Sequence, residues 1–66
     1  MMRFNIIGVL KLSGFFVFNM QTGYVPRLKE EIETNGHVYV IESVRYVLAN
    51  GNFTTQDVHL ELTLIK

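Results

Sequence analysis

The chain has 66 residues, carries six Lys or Arg against six Asp or Glu, is 48% apolar and contains no cysteine. That length holds one domain and leaves no room for a second. The missing cysteines exclude disulfides and thiolate metal sites, and the balanced charge argues against a binder that relies on neutralising phosphates. A chain this short buries only roughly 60% of the surface its unfolded form exposes. With disulfides gone and no dense ligand cluster around His37 and His59, association with another chain is the remaining source of added stability.

The opening stretch, MMRFNIIGVLKLSGFFVFNM, has the early arginine and apolar run of a secretory signal. Asn5 and Lys11 interrupt that run, however, and no small-residue cleavage site follows it. It is also too short and too polar for a membrane-spanning helix, so it is expected to be folded structure. From Phe4 to Leu12 the residues are strand formers: Phe4, Ile6, Leu10 and Leu12 share one face at period two, while Ile7 and Val9 make the other face apolar as well. Apolar character on both faces means cover on both faces. Gly8, inside the run, marks a bulge, a bend or a close backbone approach. Ser13-Gly14 predicts a hairpin turn into GFFVFNM, with a single kinked strand as the alternative, because tight hairpins prefer Asn-Gly or a leading glycine.

Gln21 to Glu31 is irregular. Thr22-Gly23 signals a turn, Pro26 excludes a central strand and holds Val25 extended, and RLKEEIE is too short for an independent helix. This region predicts a loop, or one short turn, that leads into a strand over residues 31–34. Asn35-Gly36 is the strongest local signal, since both residues accept the positive φ of a type I′ hairpin turn. The strand that leaves it, HVYVIESVRYVL, is about twice the usual length. Its even positions (Val38, Val40, Glu42, Val44, Tyr46, Leu48) are apolar but for Glu42, and its odd positions are more mixed. A strand this long has to bend. Its first half is expected to pair back to the 31–34 strand and its second half forward to the last strand, which makes it the spine of the fold. Ala49-Asn50-Gly51-Asn52 predicts another turn. The final strand alternates cleanly, with Val58, Leu60, Leu62 and Leu64 facing in and Asp57, His59, Glu61 and Thr63 facing out. Strands joined by turns at short intervals predict an all-β domain spanning residues 1–66: a five-stranded antiparallel curled sheet or a small SH3-like or OB-like barrel.

The segment VPRLKEEIETNGHVYVIESVRYVL resembles short phage and mobile-element proteins with SH3-like barrels. In these a proline-containing loop, an acidic strand start and an NG-type turn precede a Y-x-V-x-x-V strand. The matching residues are Pro26, Glu31, Ile32, Asn35, Gly36, Tyr39, Ile41 and Val44, with Lys29 standing where that pattern often has a turn glycine. The resemblance covers about a third of the chain, mostly restates how a β-hairpin is built, and carries no functional signature. It implies a phage-encoded accessory protein acting in the host cytoplasm.

Chemistry is sparse. His37 and His59 lie on strands without the three or four convergent ligands a metal needs. Glu30, Glu31, Glu33 and Glu42 read as a solvated charged run lacking general acid–base partners. Ser13 and Ser43 have no nucleophile elbow around them, and five isolated glycines build no phosphate loop. No enzyme, cofactor or metal is therefore expected. The aromatic residues carry more information, because Phe15 and Phe16 are adjacent and cannot both enter one core from a strand.

These features point to a non-catalytic macromolecule-binding module without a membrane association. Its partner is expected to be protein: itself, as a homodimer through Ile7, Val9, Phe16 and Phe18, and a host protein that it modulates or inhibits. A nucleic-acid-binding barrel using Arg27, Tyr39, Arg45 and Tyr46 is the alternative, and a structural or assembly subunit is a third. The absence of cysteine fits a cytoplasmic setting.

Overall fold

The structure, a computed structural model, describes residues 3–47 and 55–66. The turn expected at Ala49–Asn52, and Leu48 and Phe53, lie outside them. Five strands make up the fold: β1 (Arg3–Leu10), β2 (Phe16–Thr22), β3 (Glu31–Thr34), β4 (His37–Val47) and β5 (Thr55–Leu64). They form one curled sheet, a half-barrel, in the order β2-β1-β5-β4-β3. The all-β, five-stranded reading holds. Among the described residues no helix is long and apolar enough to cross a membrane.

Local chemistry accounts for both hairpins. Asn35 (φ 54°) and Gly36 (φ 80°) occupy the left-handed region, as a type I′ turn requires, and Thr34 closes the turn opposite His37. The β1–β2 connection is a hairpin too, not one kinked strand. Leu10 N–H donates to the Phe15 carbonyl at 2.8 Å, Gly14 N–H donates to the Leu10 carbonyl at 2.7 Å, and Gly14 supplies a φ of 77°. β1 thus ends at Leu10, and Leu12, beyond it, stands 96% exposed at the hairpin tip.

Two features depart from the sequence reading. The sheet is mixed, not wholly antiparallel: β1 and β5 run parallel, from Arg3 opposite Thr55 to Leu10 opposite Leu62. No turn joins these strands, so nothing local fixed their direction; it is set by matched side chains along the interface. Ile6 meets Val58, Gly8 meets Leu60, and on the other face Asn5 stands opposite Asp57. The second departure is that β5 pairs along both edges, with β1 as well as with β4, whereas β4 pairs with β3 and β5 as expected. The alternation of β5 explains this, since Val58, Leu60 and Leu62 are all essentially buried and only a central strand offers neighbours on both edges to such a row.

The core consists of Ile6, Tyr39, Ile41, Val58, Leu60 and Leu62, with Phe4, Leu10, Val17, Phe18, Met20, Val25, Ile32 and Val44 packed against it. On β4 the buried residues are the odd ones, Tyr39 and Ile41, rather than the more uniformly apolar even set. Pairing then passes from Ile41–Leu62 to Ser43–Glu61 and leaves Glu42 unpaired. A one-residue bulge switches the side chains that follow to the other face, so Val44 packs against the core.

Candidate functional site

Pairing decides where the four expected interface residues point. Phe18 stands opposite Gly8, whereas Phe16 stands opposite Val9, leaving Val17 without a partner. This bulge separates two phenylalanines that a regular strand would place on one face. Phe16 is 66% exposed beside Val9, and Ile7 and Val9 are half-buried on the outer face. Phe18 packs against the core instead. The structure therefore brings Ile7, Val9 and Phe16 together on the outer face and turns Phe18, partly buried, toward the core. Phe15, next to Phe16 at the hairpin tip, is 70% exposed.

A polar ladder borders the patch. Asn19 Nδ2 donates to Asn5 Oδ1 at 2.7 Å and to the Ile6 carbonyl at 3.0 Å, and Asn5 Nδ2 donates to Asp57 Oδ1 at 3.1 Å. The three side chains tie β2, β1 and β5 into one register on the outer face. No short-range pattern in the sequence announces them, because they lie 14 and 52 residues apart.

The two free edges of the sheet differ in charge. β2, FVFNMQT, has no charged residue and no proline, while β3, EIET, is four residues long and carries Glu31 and Glu33. Shortness and charge are devices that protect an edge from pairing. β3 has both, and β2 has neither.

At one end of the half-barrel the chain crosses from β2 to β3. Here a groove of about 490 Å³ is lined by Met20, Tyr24, Pro26, Glu30, Glu31 and Ile32. Pro26 is buried. Backbone bonds hold the crossing segment: Lys29 N–H donates to the Ile41 carbonyl at 2.8 Å and Ile41 N–H to the Glu30 carbonyl at 2.9 Å, while Arg27 N–H donates to Glu30 Oε1 at 2.7 Å. Lys29 adopts φ 71°, so the position where a glycine often stands in the resembling pattern does take up left-handed backbone. Its ammonium bonds Glu42 Oε1 at 3.1 Å. That hydrogen bond and the lysine charge hold the Glu42 carboxyl below its ordinary value.

The residues of the nucleic-acid alternative are not gathered on one surface. Tyr39 is buried in the core, Arg27 lies in the crossing segment, and Arg45 stands opposite His59 on β5. Tyr46 is half exposed near the end of β4. His37 Nδ1 lies 3.3 Å from the Lys66 carbonyl, with its ring edge-on to Tyr39 at a centroid distance of 6.3 Å. His59 borders a small outer-face depression with Ile7, Val9, Ser43, Arg45 and Glu61. In comparisons with known proteins, the chain matches no family model, no curated protein and no solved structure.

Proposed function

We propose that this chain is a non-catalytic protein-binding module whose first partner is a second copy of itself, joined through β2. The observation that carries this reading is the uncharged β2 edge: seven residues without charge or proline, on a strand whose only partner among the described residues is β1. Antiparallel pairing of two β2 edges about a twofold axis gives a closed symmetric dimer and satisfies backbone groups that otherwise face water. It also sets each Phe16, exposed at the start of β2, beside side chains of the partner strand. Contiguous apolar patches of this kind mark interfaces, and each Å² removed from water contributes about 25 cal/mol. The setting, a phage-encoded modulator of a host protein, rests on the sequence resemblance alone.

Size-exclusion chromatography with light scattering at micromolar concentration tests the dimer. The wild-type chain is expected to elute at twice its 7.6 kDa mass. The Phe16→Lys/Gln21→Lys variant, with lysines at two exposed edge positions, is expected to be a monomer with an unchanged circular dichroism spectrum. A monomeric wild type defeats the reading, and so does a dimer untouched by both lysines.

A further inference from the structure

We propose that the groove between β2 and β3 binds an extended peptide strand of a different protein, in which basic and apolar residues alternate. This goes beyond self-association and uses the opposite edge of the sheet. The groove is preformed: Met20 and Ile32 pack against the core, Pro26 is buried, and the backbone bonds around Lys29, Glu30 and Ile41 fix the wall. Binding to it therefore needs little ordering of the protein. Among the described residues β3 pairs with β4 alone, so its other edge presents backbone donors and acceptors for strand addition.

Charge selects the occupant. Glu30 and Glu31 line the groove, and no Lys or Arg does. Glu33 follows Glu31 at period two on the same face of β3, and Lys29 is engaged with Glu42. A second copy presenting its own β3 would set Glu31 and Glu33 against their equivalents, so self-pairing at this edge is disfavoured. Side chains of an added strand alternate between faces. Those beside Glu31 and Glu33 are therefore basic, and the one between them, beside Ile32, is apolar. Tyr24, 66% exposed at the rim, offers a ring face to a lysine or arginine of the same strand.

The test uses the full-length chain and a fluorescein-labelled, end-blocked peptide of about six residues, the usual strand length, alternating Val and Lys. Controls are the Val-Glu counterpart and a peptide of the same Val and Lys content written as two blocks. Fluorescence anisotropy is expected to show saturable binding of the alternating basic peptide only. Amide shifts in ¹⁵N spectra are expected to cluster at Met20, Tyr24 and Glu31–Thr34. In Glu31→Lys/Glu33→Lys, whose two substituted side chains are exposed, affinity for the basic peptide is expected to fall by about tenfold, the scale of two exposed charge pairs turned to repulsion, and the Val-Glu peptide is expected to bind instead. Tyr24→Ala is a second, independent variant and is expected to weaken the basic peptide only. Equal binding of the block peptide would reduce the effect to unspecific charge attraction and overturn the proposal. So would shifts confined to β2 or an absence of saturation. The oligomeric state of the wild type affects none of these readouts, so failure here and failure of the β2 dimer are separable.

Discussion

Gly8→Ala is a sharp test of the packing described above. A Cβ placed on Gly8 would lie 2.2 Å from Phe18 Cε1, 2.6 Å from Phe18 Cδ1 and 3.0 Å from Leu62 Cδ1. Carbon atoms in contact prefer about 3.5–4.0 Å, so the phenyl ring would have to retreat by more than about 1 Å. Leu62 is essentially buried on the other side and cannot yield freely. Forcing an extra methyl group into a filled site costs about 1–3 kcal/mol, and the ring also surrenders part of its contact with the core. Against this, replacing a strand glycine recovers about 0.5–1 kcal/mol of backbone entropy. The net expectation is a loss of about 1–2 kcal/mol, which in a domain of this size lowers Tm by roughly 4–16 °C. Urea and thermal unfolding followed by circular dichroism measure it, with an unchanged m-value showing that the loss lies in the folded state. Adding Phe18→Leu removes the clashing ring atoms, so the double variant should be more stable than the sum of the two single changes allows, by about 1 kcal/mol. A Gly8→Ala chain as stable as wild type would refute the close approach, and additivity with Phe18→Leu would refute its assignment to the ring.

Two further outcomes are expected. Gly36→Val, at φ 80° with open space around the position, should cost about 1–3 kcal/mol through backbone strain alone; an unchanged melt would remove the type I′ turn. The Glu42 carboxyl is held below its ordinary value by Lys29, so its contribution to stability is full above the unfolded carboxylate pKa and is lost as pH falls through the lower folded one. Lys29→Met should flatten that acid limb of the stability–pH curve, as followed by urea midpoints, and an unchanged limb would assign it to other carboxylates.

What the sequence made legible was local. Asn35-Gly36 announced its hairpin because positive φ is a property of those two residues, and β5 announced its buried row because Val58, Leu60 and Leu62 alternate with polar residues. Whatever depended on distant partners stayed hidden. The parallel run of β1 beside β5 is decided by pairs such as Ile6–Val58, more than fifty residues apart, for which no turn chemistry speaks. The bulges at Val17 and Glu42 were hidden for a related reason. An unpaired residue is a property of two strands together, yet it decides which side of each strand meets the core. The surface site suffered most from this. Ile7, Val9 and Phe16 lie on the outer face, but Phe18 turns inward across the bulge to cover Gly8. The groove beside β3 was not foreseen, because its lining joins Met20 to Ile32 through a loop whose path the sequence left open.

The contrast between the two edges ties these observations together. A barrel closed by pairing β2 to β3 would have removed both edges, and a chain with so little core would gain from it. Here β2 and β3 do not pair; the crossing segment is held to β4 by the Lys29–Ile41 and Ile41–Glu30 backbone bonds, and a groove lies between the edge strands. Among the described residues neither edge strand has a second strand partner, and their compositions differ in kind. β2 is neutral, so an identical copy meets no repulsion along it. β3 is short and acidic, so an identical copy is repelled and a basic strand is attracted. Exchanging the two characters should exchange the behaviour. Placing lysines on β2 blocks self-pairing without touching the groove, whereas neutralising Glu31 and Glu33 as glutamines would leave a second uncharged edge. That variant is expected to assemble beyond a dimer, because two edges that both accept copies generate open, non-closing contacts. Light scattering would show growth with concentration, and a Glu31→Gln/Glu33→Gln chain that remained a dimer would show that the acidic residues do not guard β3.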